Sequence, residues 1–373
     1  IGGCIDRFYV MQTRRHKLKK ISTARMKTYR SSLRLFEKFC GIGPTTKTYE
    51  PDGPKKHLNY ERMVGYFKHL ANKVEKEIYV IGTAHQHWCI ALDFLHYCYE
   101  NEWIDKYPRG LNRHKFKTGA PTRGRSAIKV FSVKQVRALF QHSHKRSVYP
   151  LDCWIALALN CGFTSVDIGT LKDEHFIWDR EEKNILRIEK IRTKTKQFGS
   201  WRVWGVTNEL LKRWLHKRAQ QPRGRIKQPE YIFYNRSGAP VNSHVELTHK
   251  AEPRSILHQE TGYMNDAIGR SFRHKVQDHF PELKGLGFKV FRKSGVSEII
   301  KMKLDNTLLI EQLYLAHKPT TVARSFYTRV NADTLDDALI ELEKVYALEE
   351  LVETDDERDE RKRLAYNARK SRE

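Results

Sequence analysis

The sequence lacks long hydrophobic runs, because no segment approaches the roughly 18 consecutive apolar residues of a membrane-spanning helix. It also lacks Cys-x-x-Cys pairs, and its six cysteines stand apart, most of them among aromatic or aliphatic neighbours. This pattern predicts buried free thiols in a reducing cytoplasm and argues against a disulfide framework or a zinc ribbon. Walker A, GxGxxG, HExxH and GxSxG motifs are missing too, so the common signatures of nucleotide, dinucleotide and zinc-protease sites are excluded.

Acidic residues are scarce relative to basic ones: 44 Asp and Glu stand against 69 Lys and Arg, for a formal net charge of +25. A surplus of this size, spread over most of the chain, favours a polyanionic partner. Nucleic acid suits the pattern better than a membrane surface, because no basic amphipathic anchor is present in the sequence. We therefore expect a nucleic-acid-binding protein and no membrane partner.

At 373 residues the chain is too long for one ordinary compact domain. Helical patterns dominate the first third, a stretch rich in Lys, Arg, Gly and Pro follows, and helical and strand patterns then mix. We predict a basic leader, a helical domain, a basic linker, a mixed second domain, and an amphipathic helix with a charged tail, at residues 1–20, 21–107, 108–130, 131–334 and 335–373.

The second domain carries the strand signal of the chain. Residues 184–191 alternate in polarity and residues 200–206 form a second strand pattern, which together predict an antiparallel hairpin with its turn at 193–199. A short strand is also predicted at 231–234. Helices are predicted around it at residues 133–143, 150–161, 208–218, 263–280, 294–303, 308–316 and 320–327.

Three residue types that suit attack on a phosphodiester occur in order near the C-terminus. Arg292 precedes His317, and Tyr327 follows ten residues after that histidine. A tyrosine can act as nucleophile, while arginine and histidine hold the phosphate oxygens or move a proton. Lys289 lies three residues before Arg292, at a predicted loop-to-helix junction where both side chains can face one anion.

The order and neighbours of these residues resemble the C-terminal boxes of the tyrosine recombinase (phage integrase) family. The family's second box is commonly His-x-x-Arg, and here Lys289 stands in the histidine position. Leu315-Ala316-His317 resembles its Leu-Gly-His. Members also carry a lysine on the hairpin that protonates the leaving 5′ oxygen; Lys194 matches it best, with Lys196 as the alternative.

The resemblance implies an α+β, mostly helical fold: an N-terminal helical core-binding (SAM-like) domain and a C-terminal catalytic domain with a small antiparallel sheet. It also implies a cofactor-free reaction at double-stranded DNA through a 3′-phosphotyrosine on Tyr327. Other implications are a homo-tetramer on paired sites, accessory DNA-bending proteins in some members, and a place in the prokaryotic cytoplasm at the nucleoid. The 335–352 helix is a candidate for exchange between neighbouring subunits.

One position departs from the family pattern. The first box reads roughly Thr-Gly-Leu-Arg-x-x-Glu-Leu in members; here Gly162, Asp167 and Leu171 keep the frame, but Thr164 fills the arginine position. Either another basic residue, for example Arg192 or Lys172, enters the site, or catalysis is weak or absent. One alternative is therefore a catalytically weakened or inactive DNA-binding protein of the same fold. Another is a type IB topoisomerase, which shares the chemistry.

Overall fold

A computed structural model describes the chain at residues 2–18, 21, 23–41, 58–117, 129–146, 150–179, 181–192, 195–222, 224–235, 237–245, 263–317 and 332–353, with single residues between 357 and 367. The predicted site residues Lys194 and Tyr327 lie outside the described residues. The chain divides into two compact units. Unit 1 comprises residues 1–125 with 246–263, and unit 2 comprises residues 126–245 with 264–373.

Unit 1 is helical in the part that the structure describes. Its helices are α1 (Gly2–Lys17), α2 (Thr23–Phe39), α3 (Tyr60–Glu75) and α4 (Ile81–Glu100). The segment predicted as a basic leader contains α1, which buries Ile5 and Phe8 on one face. Four of its five basic residues, Arg14, Arg15, His16 and Lys17, occupy the last turn, where positive charge complements the helix dipole.

Aromatic rings join the helices of unit 1. The ring of Phe8 on α1 lies 5.5 Å from that of Phe94 on α4, and Phe36 on α2 lies 4.9 Å from Tyr66 on α3. Such tilted and edge-on pairs add to the stabilisation that burial itself provides. The core of unit 1 is therefore shared by all four described helices.

Unit 2 is built around one buried helix. Nine of the ten residues of α6 (Leu151–Asn160) are buried, as its apolar composition on every face predicts. It packs against six of the other helices described in this unit. The helices around it are α5 (Val133–Arg146), α7 (Ser165–Gly169), α8 (Gly205–Ala219), α9 (Ala267–Lys275), α10 (Val290–Lys301), α11 (Thr307–Tyr314) and α12 (Ala332–Tyr346).

The predicted hairpin is confirmed, with its second strand at Phe198–Arg202 instead of 200–206. It belongs to a three-stranded antiparallel sheet in the order β1 (Phe176–Trp178), β2 (Ile185–Ile191), β3 (Phe198–Arg202). Ile188 on β2 lies opposite Trp201 on β3, and both side chains are buried. Helices with a small antiparallel sheet confirm the predicted fold class. A second, two-stranded sheet pairs β4 (Asn242–Val245) with β5 (Tyr263–Asp266).

Two other sequence predictions for unit 2 were wrong in detail. The predicted helix 263–280 begins instead as strand β5, because the Asp266 side chain accepts a hydrogen bond from the Gly269 N–H at 2.9 Å and starts α9 there. The predicted strand 231–234 is reduced to single bridges, Lys172 with Tyr231 and Tyr234 with Pro240. In both places local pairing and capping decided the structure, which periodicity does not report.

Helix α12 completes the core of unit 2. Leu335, Leu339 and Leu342 are fully buried, and the indole N–H of Trp204 donates to the Leu339 carbonyl at 2.8 Å. The Arg137 guanidinium donates to the carbonyl of Tyr346 at 2.8 Å, just beyond the end of the apolar face. The amphipathic pattern of this helix is thus satisfied within its own unit. None of the described helices is long and apolar enough to cross a membrane.

Candidate functional site

The site is organised around the backbone that follows α11. Tyr314, the last residue of α11, points into the core and donates its hydroxyl to the Leu159 carbonyl at 2.5 Å. Gly162 and Gly295 make room for this ring, because a Cβ at either position would overlap it. The Trp201 indole N–H donates to the Tyr314 carbonyl at 3.1 Å. These contacts fix the next carbonyl, that of Leu315.

Arg292 lies in the first turn of α10 and is only 8% exposed. Its guanidinium donates to the Leu315 carbonyl at 2.9 Å and to the carbonyl of Gly162. The imidazole Nε2 of His317 lies 3.4 Å from the same guanidinium. Two of the residues predicted for phosphate binding, Arg292 and His317, are therefore brought together.

A second guanidinium reaches the same carbonyl. Arg192, which follows the last residue of β2, donates from Nη1 to the Leu315 carbonyl at 2.6 Å. Its Nε donates to one carboxylate oxygen of Asp167 at 3.0 Å and its Nη2 donates to the other. Both side chains are buried, so this is a bidentate pair shielded from water. Arg192 was named from the sequence only as one of two substitutes for an arginine at position 164.

Thr164 supports Asp167 from the other side. The Thr164 backbone N–H and hydroxyl donate to one Asp167 carboxylate oxygen at 2.9 and 2.7 Å, as the N-terminal cap of α7. Burial alone would raise the pKa of Asp167, but hydrogen bonds and the charge of Arg192, together with the Thr164 donors, hold it below its ordinary value. The carboxylate therefore stays ionised and oriented toward Arg192 at neutral pH.

Positive charge is concentrated where the two arginines meet. Burial, and then the charge of Arg192, lowers the pKa of Arg292 to about 10. The Arg292 side chain remains protonated at neutral pH, and its lowered pKa shows that the protonated form is disfavoured where it lies. Asp167 offsets only part of this charge, since it is one carboxylate beside two guanidinium groups. An anion bound here would relieve the repulsion, so the arrangement suits a phosphate.

The hairpin is tied to the same backbone on both sides of its undescribed turn residues. Arg192 bonds to the Leu315 carbonyl before the turn, and the Thr195 hydroxyl donates to the Ala316 carbonyl at 3.0 Å after it. Lys194, the predicted leaving-group acid, falls between these two anchors in the sequence and lies outside the described residues. Lys196, its alternative, is exposed and has a positive φ of 56°.

The remaining predicted residues are placed differently. Lys289 immediately precedes α10 and is exposed, and within the described residues no hydrogen bond joins it to Arg292 or His317. The Lys172 ammonium lies 3.8 Å from a Glu174 carboxylate oxygen and 5.6 Å from the centre of the Tyr231 ring, so its contacts are away from Asp167. The proposed nucleophile, Tyr327, lies outside the described residues. No cluster of three or more metal-ligating side chains occurs in the described part of the chain.

No protein-family model and no curated protein matches the sequence. Solved structures do match. The integrase of the transposon Tn1549, residues 82–397 bound to circular-intermediate DNA, aligns with a TM-score of 0.52 at 12% identity, over 87% of this chain and 95% of that one. Residues 75–356 of lambda integrase, a dimer on a COC′ core site, align with a TM-score of 0.51 at 12% identity, over 87% and 94%.

The XerH site-specific recombinase, in a post-cleavage complex with a palindromic difH substrate, aligns with a TM-score of 0.50 at 15% identity. The aligned region covers 86% of this chain and 81% of XerH. At such identities the likeness establishes the fold alone. This chain has the fold of tyrosine recombinases and integrases, as the sequence motifs predicted.

Proposed function

We propose that this protein is a tyrosine-type site-specific recombinase, which cuts and rejoins double-stranded DNA through a covalent 3′-phosphotyrosine on Tyr327. The observation that carries the proposal is the meeting of Arg292 and Arg192 at the Leu315 carbonyl, with His317 Nε2 3.4 Å from the Arg292 guanidinium, inside a fold shared with DNA-bound integrases. The net charge of +25 supports a DNA partner independently.

In the proposed cleavage step the Tyr327 oxygen attacks the scissile phosphorus. The bond from phosphorus to this oxygen forms and the bond to the 5′ oxygen breaks. The phenol proton passes to His317, whose imidazole has an acceptor nitrogen when neutral. Lys194 gives a proton to the departing 5′ oxygen, which leaves as a hydroxyl. Rejoining reverses these transfers, with the 5′ hydroxyl of the same or a partner strand as nucleophile.

The charge that develops in this step must be stabilised by fixed donors. Arg292 is buried and held by two carbonyls, so it costs little reorganisation when the phosphorane forms. We assign Lys289, at the start of the same helix, a further contact to the phosphate. No cofactor is needed, because a tyrosine, donors and a proton source account for every bond change.

Recombination also requires two DNA sites to be brought together. We propose a homo-tetramer on paired sites in the cytoplasm, with or without accessory DNA-bending proteins. The lambda integrase structures, a dimer on a core site and a tetramer on a Holliday junction, support this assembly for a protein of the same fold.

The test is a covalent capture in which the target sequence itself is recovered from a random pool. The full chain is incubated with duplexes that carry a random central sequence and a nick, so that a short strand diffuses away after cleavage. Adducts that survive denaturing electrophoresis are recovered and their DNA is sequenced. We expect a recurring sequence joined to the protein, and no adduct from Tyr327→Phe.

Tyr231→Phe is the matched control, since it removes a phenol hydroxyl elsewhere in the chain and should leave adduct formation intact. Retention of one DNA sequence without any adduct would support a binding protein of this fold and contradict cleavage. Relaxation of supercoiled DNA without sequence preference would favour a type IB topoisomerase over a recombinase.

A further inference from the structure

With threonine at position 164, the phosphate site lacks an arginine from the segment that begins α7. We propose that Arg192, delivered from the end of β2, supplies the second guanidinium and contacts the scissile phosphate beside Arg292. The role rests on the proposed cleavage reaction, and it assigns the missing charge to a different element of the fold.

The shared acceptor places the two guanidinium groups side by side. Arg192 and Arg292 donate to the same Leu315 carbonyl, at 2.6 and 2.9 Å. One carbonyl oxygen accepts both bonds through its two lone pairs, which fixes the two cations as neighbours. His317 lies next to Arg292 in the same cluster, so a phosphate at this point has donors from three separate segments.

Arg192 retains donors for such a phosphate. Bonds to described residues use its Nε–H and one N–H on each terminal nitrogen, which is three of the five N–H groups of a guanidinium. The remaining N–H on Nη1 belongs to the nitrogen that already bonds to the Leu315 carbonyl. It therefore extends from the point where the two arginines meet.

Asp167 explains why the guanidinium group can be supplied by a different element of the fold. Asp167 fits the pattern of the first box, but the arginine position three residues before it holds Thr164. The structure fills its two oxygens from Arg192 and caps one of them with Thr164. A buried carboxylate of this kind orients whichever guanidinium reaches it, whether that arrives from position 164 or from position 192.

The experiment must separate a structural role of Arg192 from a direct contact with the phosphate. It bridges Asp167 to Leu315, so its removal leaves a buried carboxylate without its cation and disturbs the backbone before His317. Loss of cleavage by Arg192→Thr alone does not distinguish these two roles. Two comparisons do: moving the arginine, and removing the charge from the phosphate.

The first comparison moves the guanidinium. Using the duplex recovered by covalent capture, we expect Arg192→Thr to form adduct about 10²–10³-fold more slowly than wild type, the usual loss for one preorganised donor. Adding Thr164→Arg to it should restore the rate to within about tenfold of wild type. Arg192→Lys keeps the charge but not the bidentate fork, and should fall between the two.

The second comparison uses a duplex with a methylphosphonate at the scissile position, which removes one negative charge from the reacting group. If Arg192 neutralises that charge, its loss matters less on this substrate, and the deficit of Arg192→Thr should shrink to under about tenfold. Lys172→Thr is the matched control, because it removes a nearby cation with no contact to Asp167. It should stay within about twofold of wild type on both substrates.

Each outcome decides between the hypotheses. An equal deficit on both substrates would overturn the contact between Arg192 and the phosphate and leave a structural role, whether or not Thr164→Arg restores the rate. Undiminished cleavage by Arg192→Thr would overturn it as well, while the proposed recombinase stands. Absence of any adduct from wild type would overturn the recombinase, and the role of Arg192 with it. Circular dichroism and thermal melting of each variant exclude unfolding as the cause of a loss.

Discussion

The segments that begin α7 and α10 contribute to the same site in opposite ways. At α10 the sequence places an arginine in the first turn, and Arg292 reaches the Leu315 carbonyl directly. At α7 the corresponding segment supplies only the oxygens of Thr164 and Asp167, and the cation comes from Arg192 on another element. One segment contributes the charge, and the other contributes the group that holds a charge from elsewhere.

The difference shows that a site can contain a second guanidinium group although the segment that begins α7 supplies none. What a guanidinium group binds depends on where its nitrogen atoms lie, and not on which element of the fold carries the Cα atom. The end of β2 and the start of α7 lie close enough for a bidentate pair, and the arginine on the β2 side reaches the Leu315 carbonyl. We therefore expect a substitution of Asp167 to damage the site as severely as a substitution of Arg292.

The largest expected effect on stability comes from Asp167→Asn. The asparagine amide presents an N–H to Arg192 and leaves its buried charge without a counterion, which costs about 3–5 kcal/mol. Urea unfolding at pH 7 measures the loss. Asp305→Asn, at an exposed position, should shift the midpoint little. Equal stability of the two variants would show that the Arg192–Asp167 pair contributes nothing net.

The same pair predicts a pH dependence with a definite sign. The pKa of Asp167 is lowered in the folded protein, so its contribution is fully present above the ordinary carboxyl pKa of about 3.8. It is lost as the pH falls through the lower folded value. Wild type should therefore lose stability more steeply than Asp167→Asn on acidification below about pH 4, in parallel urea series.

Disturbing the α10 side should change activity more than stability. Arg292→Lys keeps a positive charge, but an ammonium lacks the fork that bonds to Gly162 and Leu315 together. We expect adduct formation on the captured duplex to fall about 10²–10³-fold, with DNA binding retained. Arg273→Lys on α9 is exposed and should match wild type. A full rate from Arg292→Lys would mean that a point charge suffices at this position.

The sequence alone predicted the parts of the site that depend on local order. Arg292 and His317 were predicted because each lies in a short motif, and the structure places their side chains 3.4 Å apart. The hairpin was predicted because residues 184–191 alternate in polarity. Lys194 and Tyr327 were predicted from the resemblance and stay predictions. These signals operate over a few residues, which is the range that a pattern can report.

The pairing of Arg192 with Asp167 could not be chosen from the sequence, because 25 residues separate the two and Lys172 was an equal candidate. The usable signal in the sequence was Asp167 itself, an acidic residue at its expected position in a motif whose arginine is replaced by Thr164. The packing role of Gly162 and Gly295 was equally hidden, although Gly162 belongs to the first box, since both glycines are explained only by the Tyr314 ring that lies against them. Contacts between distant segments decide such features.

A smaller effect should follow from filling the space around Tyr314. Gly295→Ala places a methyl group against the Tyr314 hydroxyl, which also donates to the Leu159 carbonyl. We expect a loss of about 1–3 kcal/mol on urea unfolding, as for other overpacked cores. Gly287→Ala, where a Cβ would meet no atom within 4 Å, is the matched control. A neutral Gly295→Ala would show that α11 shifts freely, and the Leu315 carbonyl with it.

The smallest expected change is a gain in stability at the turn between α11 and His317. Ala316 has a positive φ of 42°, a conformation that costs an L-residue about 1–2 kcal/mol and glycine little. Ala316→Gly recovers that strain but adds roughly 0.5–1 kcal/mol of unfolded-chain entropy, so a net gain of about 0–1.5 kcal/mol is expected. Ala338→Gly, the same change within helix α12, should lose about 1 kcal/mol or more. If both substitutions destabilise equally, the turn is not strained in solution.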